Sequence, residues 1–554
     1  MFKMKTIYIP ILLGMLGLST FMHAQDDKNK WDVANPPGDW TYKEVKLQTN
    51  EGTWMNLDVS PDGQQIVFDM LGDIYIMPIS GGKAKALRSG LPYEIQPRFS
   101  PDGKQISFTS DAGGGDNIWV MNVDGSDAKQ VTKENFRLLN NAVWMPDGKY
   151  LIARKHFTSG RSLGAGEMWM YHISGGTGMQ ITKRKNDQQD VNEPNITKDG
   201  KYMYFCEDMY PGGSFQYNKD PNSQIYVIKR YEFETGELTT ITGGPGGAMR
   251  PQVSPDGKQL AFVRRVGTKS VLFLRDLKSG IEWPIYDKLN KDQQEAWCLF
   301  GTYPNFAWLS DNQTIVFWAG GKLNKIDSKS LAVTNIPFEV EADIKVADAL
   351  DFKYKVHEEK MTAKVIRQAV TSPDGKTLVF HAIGYLWKKA LPDGKPVRIT
   401  KGTDFEYEPS FSPDGKSLVY ATWNDEKMGA IYSIGLDGNN PKKLSTEKGI
   451  FQTPAYSPDG NTIVYQRAPG NSDQGFAFCE EPGIYTMPAS GGKEKLVIDE
   501  GSVPRFSKDG KRIFYQSGGY FFGSLTKELL SVDLEGNDKR SHVKSKYANL
   551  FVPS

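Results

Sequence analysis

Residues able to do chemistry are sparse in this chain of 554 residues, and few are spaced for it. Gly160-Arg161-Ser162-Leu163-Gly164 has the Gly-x-Ser-x-Gly spacing that lifts a nucleophilic serine onto a strained strand-to-helix turn. Gly164-Ala165-Gly166 follows directly and cannot start a helix, so the match reads as a coincidence in a Gly/Ser-rich loop. His357-Glu358-Glu359-Lys360 lacks the second histidine of a zinc-binding helix and reads as solvated connection. The acidic loops Asp111 to Asp116 and Asp124-Gly125-Ser126-Asp127 lack the ordered oxygen spacing of a calcium loop and read as turns. Gly243-Gly244-Pro245-Gly246-Gly247 has neither the Lys-Ser/Thr nor the following helix of a phosphate loop. Cys206, Cys298 and Cys479 are too far apart for a zinc site or a disulfide framework and read as buried single thiols, one bridge remaining open. No catalytic residue and no metal ligand is assigned.

Binding is the chemistry left. Glu94, Gln96, Asn140, Asn141, Glu193, Arg250, Glu406 and Glu408 recur a few residues before a repeated turn, and their meaning depends on the element carrying them. Ser60-Pro61-Asp62-Gly63 returns at Ser100, Ser254, Ser372, Ser412 and Ser457. Looser copies begin at Met145, Thr197, Leu309 and Ser507, giving ten units about 40 to 63 residues apart. Pro presets φ for a turn, Asp bonds back to the turn backbone and Gly accepts a positive φ. A strand such as Gln105-Ile106-Ser107-Phe108 follows each turn. A third strand comes next, as in Asn117-Ile118-Trp119-Val120-Met121, and then a Gly-rich turn and a fourth, as in Lys129-Gln130-Val131-Thr132. One four-stranded sheet cannot bury both faces, so the units must stack as propeller blades around an axis. The strand before each turn is then innermost. The eight polar residues would sit at the channel mouth, either as a funnel for a peptide or other polar ligand or as the solvation of a wet channel.

The anchors at Ser60, Ser100, Met145 and Thr197 recur at Ser372, Ser412, Ser457 and Ser507 with offsets of 312, 312, 312 and 310. Six anchors separate equivalent points, so the expected architecture is all-β, with tandem propellers of four-stranded blades. The first six-bladed ring takes 51–335, a linker 336–365, and a second ring 366–554. The sequence stops at Phe551-Val552-Pro553-Ser554, where the offset places another turn anchor opposite Ser254. The second ring is therefore expected to be cut after about four blades, as in a fragment of a longer protein.

Residues 1–24 read as a secretory signal: Lys3 and Lys5, a short apolar run from Ile7 to Leu18, and Ala24 at the cleavage point. Residues 25–50 form an N-terminal extension. No later segment reaches membrane-spanning length, so the mature protein is expected to be periplasmic or otherwise exported, soluble after signal cleavage and without a membrane span. With 39 % hydrophobic residues the chain can pack a core, and 67 basic against 66 acidic residues argue against nucleic acid as a partner. Gly and Pro together make about 16 %, which suits many short strands and tight turns.

The Ser-Pro-Asp-Gly anchors and their strand pattern resemble the WD40-like propeller repeat of the TolB family over nearly the whole mature chain. Runs such as Trp31-Asp32-Val33-Ala34-Asn35-Pro36-Pro37-Gly38-Asp39, Arg161-Ser162-Leu163-Gly164-Ala165-Gly166-Glu167-Met168-Trp169 and Phe215-Gln216-Tyr217-Asn218-Lys219-Asp220-Pro221 resemble exported bacterial proteins in which such propellers precede an amidohydrolase domain. That resemblance implies a metal-dependent hydrolase, with zinc expected, C-terminal to the propellers. Such metal sites begin with a His-x-His pair, which none of His23, His156, His172, His357, His381 and His542 forms. The catalytic domain is therefore expected to be absent from this chain, which itself takes no cofactor and whose partner is that domain, or a peptide or envelope protein. The leading expectation is a module that binds or gates substrate for the amidohydrolase. A self-sufficient TolB-like interaction scaffold and the propeller part of a prolyl-oligopeptidase-type peptidase are the alternatives.

Overall fold

The computed structural model describes residues 32–546 apart from 136–137, 158–164, 188, 209–220, 222–223, 297, 350–353, 472–475, 478, 480 and 522–523. The signal segment, the Gly160–Gly164 match, the aromatic, Gly-rich stretch Tyr210 to Asn222 apart from Pro221, part of a second such stretch at Gly475 to Pro482, and the last residues lie outside this description.

The turn chemistry builds the blades. In the second blade, Ser100 Oγ donates to Asp102 Oδ1 (2.7 Å) and accepts the Gln105 N–H (2.9 Å), while the Gly103 N–H returns to the Ser100 carbonyl (2.9 Å). Gly103 sits at φ 72°, where a side chain is disfavoured. The same serine–aspartate bond forms at Ser60, Ser254, Ser372, Ser412, Ser457 and Ser507, and with a threonine at Thr197.

Each turn joins the first two strands of a four-stranded antiparallel sheet, and ten such sheets form among the described residues. The innermost strands of blades 1 to 6 are Leu57–Val59, Glu94–Phe99, Leu138–Trp144, Val191–Ile196, Met249–Val253 and Ala307–Trp308. Those of blades 7 to 10 are Arg367–Thr371, Phe405–Phe411, Ile450–Tyr456 and Ser502–Phe506. Sheet faces bury against the next blade. Val67, Ile74 and Ile76 of blade 1 meet Phe99, Ile106 and Phe108 of blade 2, and comparable clusters join the blades onward. The largest cluster runs from blade 5 through Phe306, Phe317 and Leu323 of blade 6 into Leu57, Phe68 and Tyr75 of blade 1. The first group therefore closes on itself. Asn305 seals the join: its N–H donates to Asn56 Oδ1 (3.0 Å) and its amide nitrogen to the Leu57 carbonyl (2.7 Å).

Blades 7 to 10 are joined in series by three further clusters. The inner strand of blade 7 is largely exposed, unlike the buried inner strand of blade 2.

The extension and the linker pair with each other. Tyr42–Thr49 runs antiparallel to Phe338–Ala347, which also meets Gly82–Lys83 of blade 1 in parallel. What the repeat spacing treats as connection is thus partly a ribbon, because Phe338 and Val340 have an apolar core to enter.

Candidate functional site

Four residues before the turn anchors of blades 2 to 5 and 7 to 10, the innermost strand bulges. Register shifts fall between Ile95 and Arg98, Asn140 and Val143, Asn192 and Asn195, and Met249 and Gln252. The residue inside each bulge lies in the left-handed region: Gln96 at φ 59°, Asn141 at 52°, Glu193 at 59° and Arg250 at 54°. Gln368 and Glu408 repeat this in the second group, at 53° and 52°. Such a backbone costs roughly 1–2 kcal/mol for a residue with a side chain, and a bulge leaves its N–H outside the ladder. A side chain from a neighbouring strand offsets this by accepting that N–H. Asp69 takes the Gln96 N–H (2.7 Å), Gln96 takes that of Asn141 (2.8 Å), Glu193 takes that of Arg250 (2.6 Å), and Gln368 takes that of Glu408 (2.9 Å).

The polar residues expected at the channel mouth therefore lie inside the protein. Gln96, Asn140, Asn141, Glu193 and Arg250 are brought together and fully buried. Covering them is the segment Cys298–Tyr303, from the long connection between blades 5 and 6. Its carbonyls fill the mouth: Cys298 O accepts from Asn192, Leu299 O from Asn140 (2.6 Å) and Arg154, Phe300 O from Gln96 (2.7 Å), and Tyr303 O from Arg250 Nε (2.7 Å). The Glu193 carboxylate takes the Thr302 hydroxyl (2.8 Å) and the Cys206 thiol (2.8 Å). Burial, reinforced by that carboxylate, pushes the Cys206 thiol well above its ordinary pKa. Glu94 lies apart, paired with Arg88 (2.9 Å). Glu406 and Glu408 belong to blade 8, where Glu406 accepts from Thr400 and the Leu386 N–H. An open polar funnel at this end is replaced by a plugged one, because the plug's carbonyls meet the amide and guanidinium donors that water would otherwise meet.

The other end is open. On the side of the Pro-Asp-Gly turns a cavity of about 230 Å³ is lined by residues of all six blades, among them Asp58, Arg98, Asn195 and Gln252 on innermost strands and Asn305 just before one. Most of these precede a turn anchor by two residues, where period-two alternation returns the side chain to the channel. An amide belt holds the wall: Asn195 donates to Gln252 (2.9 Å), Gln252 to Asn305 (2.7 Å), and Asn305 to the Leu57 carbonyl, which Arg98 Nη1 also meets (3.2 Å). The Trp144 indole donates to the Arg98 carbonyl (3.2 Å). Burial pushes the Asp58 carboxyl above its usual range and brings the Arg98 guanidinium down to about 10. The turn spacing alone does not single out this belt; its signal in the sequence is the recurrence of polar residues two before the anchors. Among the described residues no group of three or more His, Cys, Asp or Glu is placed to hold a metal ion. No helix of the described residues is long and apolar enough to cross a membrane.

A blind channel in a six-bladed ring, with a second set of blades after it, defines a propeller protein. Residues 55–164 match the tricorn protease N-terminal β-propeller domain, and residues 371–541 match the TolB β-propeller domain. The Tol-Pal system protein TolB of Francisella tularensis subsp. mediasiatica is 26 % identical over 227 residues, 40 % of this chain and 48 % of that protein. The uncharacterized peptidase YuxL of Bacillus subtilis is 26 % identical over 197 residues, 34 % of this chain and 24 % of that one. The crystal structure of TolB from Acinetobacter baumannii covers 51 % of this chain and 67 % of its own, with 18 % identity and a TM-score of 0.40. The chain is an all-β, TolB-like β-propeller protein. Its match spans about half the length of the Francisella TolB and about a quarter of the peptidase.

Proposed function

We propose that this chain is an exported propeller module that binds substrate for a hydrolase, the expected catalytic unit being a metal-dependent amidohydrolase C-terminal to it. The observation that carries the binding role is the blind channel: Cys298–Tyr303 closes one end, while the turn side stays open above Arg98 and Asp58. A ring plugged in this way retains a ligand and does not pass one through, which favours binding over gating by transit. The matches to a tricorn propeller domain and to a peptidase support a second reading, in which the attached hydrolase is a peptidase and the ligand a peptide. Neither reading assigns catalysis to residues of this chain.

Calorimetric titration of the purified chain with a panel of short peptides tests the module. Binding that is lost on Lys198→Trp, which fills the exposed rim of the cavity, supports it. Binding unaffected by that substitution, or metal-dependent hydrolysis by this chain alone, refutes it.

A further inference from the structure

The chemistry of the open cavity narrows its ligand. Arg98 is 6 % exposed, yet among the described residues its guanidinium makes one hydrogen bond, to the Leu57 carbonyl, and no direct ion pair. Arg98 lines the cavity, and no other donor of that fork has a hydrogen-bond partner among the described residues. Asp58, a partly buried carboxylate on the adjoining inner strand, spends one oxygen on the Phe99 N–H (2.9 Å) and also lines the cavity. Arg98 and Asp58 sense each other electrostatically without direct contact, and Asp69 and Glu193 favour the Arg98 charge more weakly while Arg250 opposes it. Two opposite charges, desolvated and held apart over a shared space, are each under-compensated, a costly arrangement unless something bridges them. A lone anion would satisfy Arg98 but be repelled by Asp58, and a lone cation would meet the reverse. Dipolar ligands satisfy both.

Size and the remaining wall agree. A volume of about 230 Å³ holds on the order of eight waters at about 30 Å³ each, room for one amino-acid-sized molecule. The amide belt of Asn195, Gln252 and Asn305 offers neutral donors and acceptors beside the charges. We propose that this cavity binds a zwitterionic α-amino acid, its carboxylate on the Arg98 guanidinium and its ammonium on Asp58. This deepens the binding role proposed above and rests on it.

The experiment uses the purified chain, with Trp144 fluorescence and calorimetry as readouts, since that indole borders the cavity and bonds to the Arg98 carbonyl. Probes are free amino acids, their N-acetyl forms (no ammonium) and their carboxamides (no carboxylate). The wild-type chain is expected to bind at least one free amino acid ten-fold or more tighter than either blocked form. Arg98→Met is expected to erase the preference over the carboxamide, and Asp58→Asn the preference over the N-acetyl form. Arg98→Lys, which keeps the charge, retains part of the first preference and shows that loss in Arg98→Met is not misfolding. Equal binding of free and blocked forms, still abolished by Lys198→Trp, overturns the dipolar ligand and leaves the binding module standing. No binding of amino acids or of peptides overturns both.

Discussion

Arg250 clasps Glu193 across the boundary between blades 5 and 4, its backbone N–H on Oε2 at 2.6 Å and its guanidinium on Oε1 at 3.2 Å, both residues 1 % exposed. Arg250 also donates to the Asn141 side-chain oxygen Oδ1 (3.2 Å) and to the plug carbonyl of Tyr303 (2.7 Å). One buried side chain thus ties three blades to the segment that closes the channel.

Removing one member of such a pair strands the other. Arg250→Met is expected to destabilise the chain by about 3–5 kcal/mol. Glu193→Gln, which keeps an acceptor for the Arg250 N–H, should cost less. The double substitution should cost less than the sum of the singles, because neither charge is then left alone. Urea unfolding of the four proteins measures the cycle, and strict additivity would show that the pair is not coupled.

The plug depends on Gly301. Its φ is +107°, and a Cβ there would lie 2.1 Å from Arg250 Nη2 and 2.9 Å from Glu193 Oε1. Gly301→Ala is therefore expected to lift the plug and expose the Thr302 amide, which donates to Glu193. Gly82→Ala is the control: φ is +124°, but no atom lies within 4 Å of the added carbon. It carries only backbone strain, about 1–3 kcal/mol. Hydrogen exchange at Thr302 should speed in the first variant and not in the second.

The turn anchors announce themselves because Ser, Pro, Asp and Gly each have one backbone job, and their spacing was enough to number ten blades and to place Gln96, Asn141, Glu193 and Arg250 on innermost strands. The bulge was not legible, because glutamine, glutamate and arginine carry no local signal for a positive φ, and only asparagine among the four favours it; it arises from contacts with the next blade. Nor was the plug. Cys298 to Tyr303 has no motif, and its function is performed by carbonyls that every residue owns. Long range in sequence hides it further, as with the 204 residues between Gln96 and Phe300.

Ser100→Ala tests the turn. The hydroxyl accepts the Gln105 N–H and donates to Asp102, so its loss leaves a part-buried donor unmet, at about 1 kcal/mol. The same bond, with the Lys104 N–H, holds the Asp102 carboxyl below its usual range. Its stabilising contribution is therefore present above the ordinary carboxylate range and is lost as pH falls through the depressed value. In Ser100→Ala the Asp102 titration, followed by carboxyl NMR, should move up toward the ordinary value. An unmoved titration would place the control elsewhere than in the hydroxyl.

Asp69 behaves in the opposite sense. Its carboxylate collects the Asn56 N–H (2.8 Å), the Asn56 amide (2.8 Å) and the Gln96 N–H (2.7 Å), all of which favour the charged form. Burial outweighs them and raises the pKa to about 6 from an ordinary 3.8. Between those values the folded chain holds a proton that the unfolded chain has released, so stability from this group is complete below about pH 4 and is lost as pH rises through 6. Asp69→Asn cannot make that exchange. The stability difference between wild type and Asp69→Asn should therefore fall between pH 4 and pH 7 by about 1–3 kcal/mol, each tenfold change in proton affinity being worth about 1.4 kcal/mol. Denaturant unfolding of both proteins across that range decides it: a constant difference, or one that grows with pH, would mean that the three N–H donors outweigh burial.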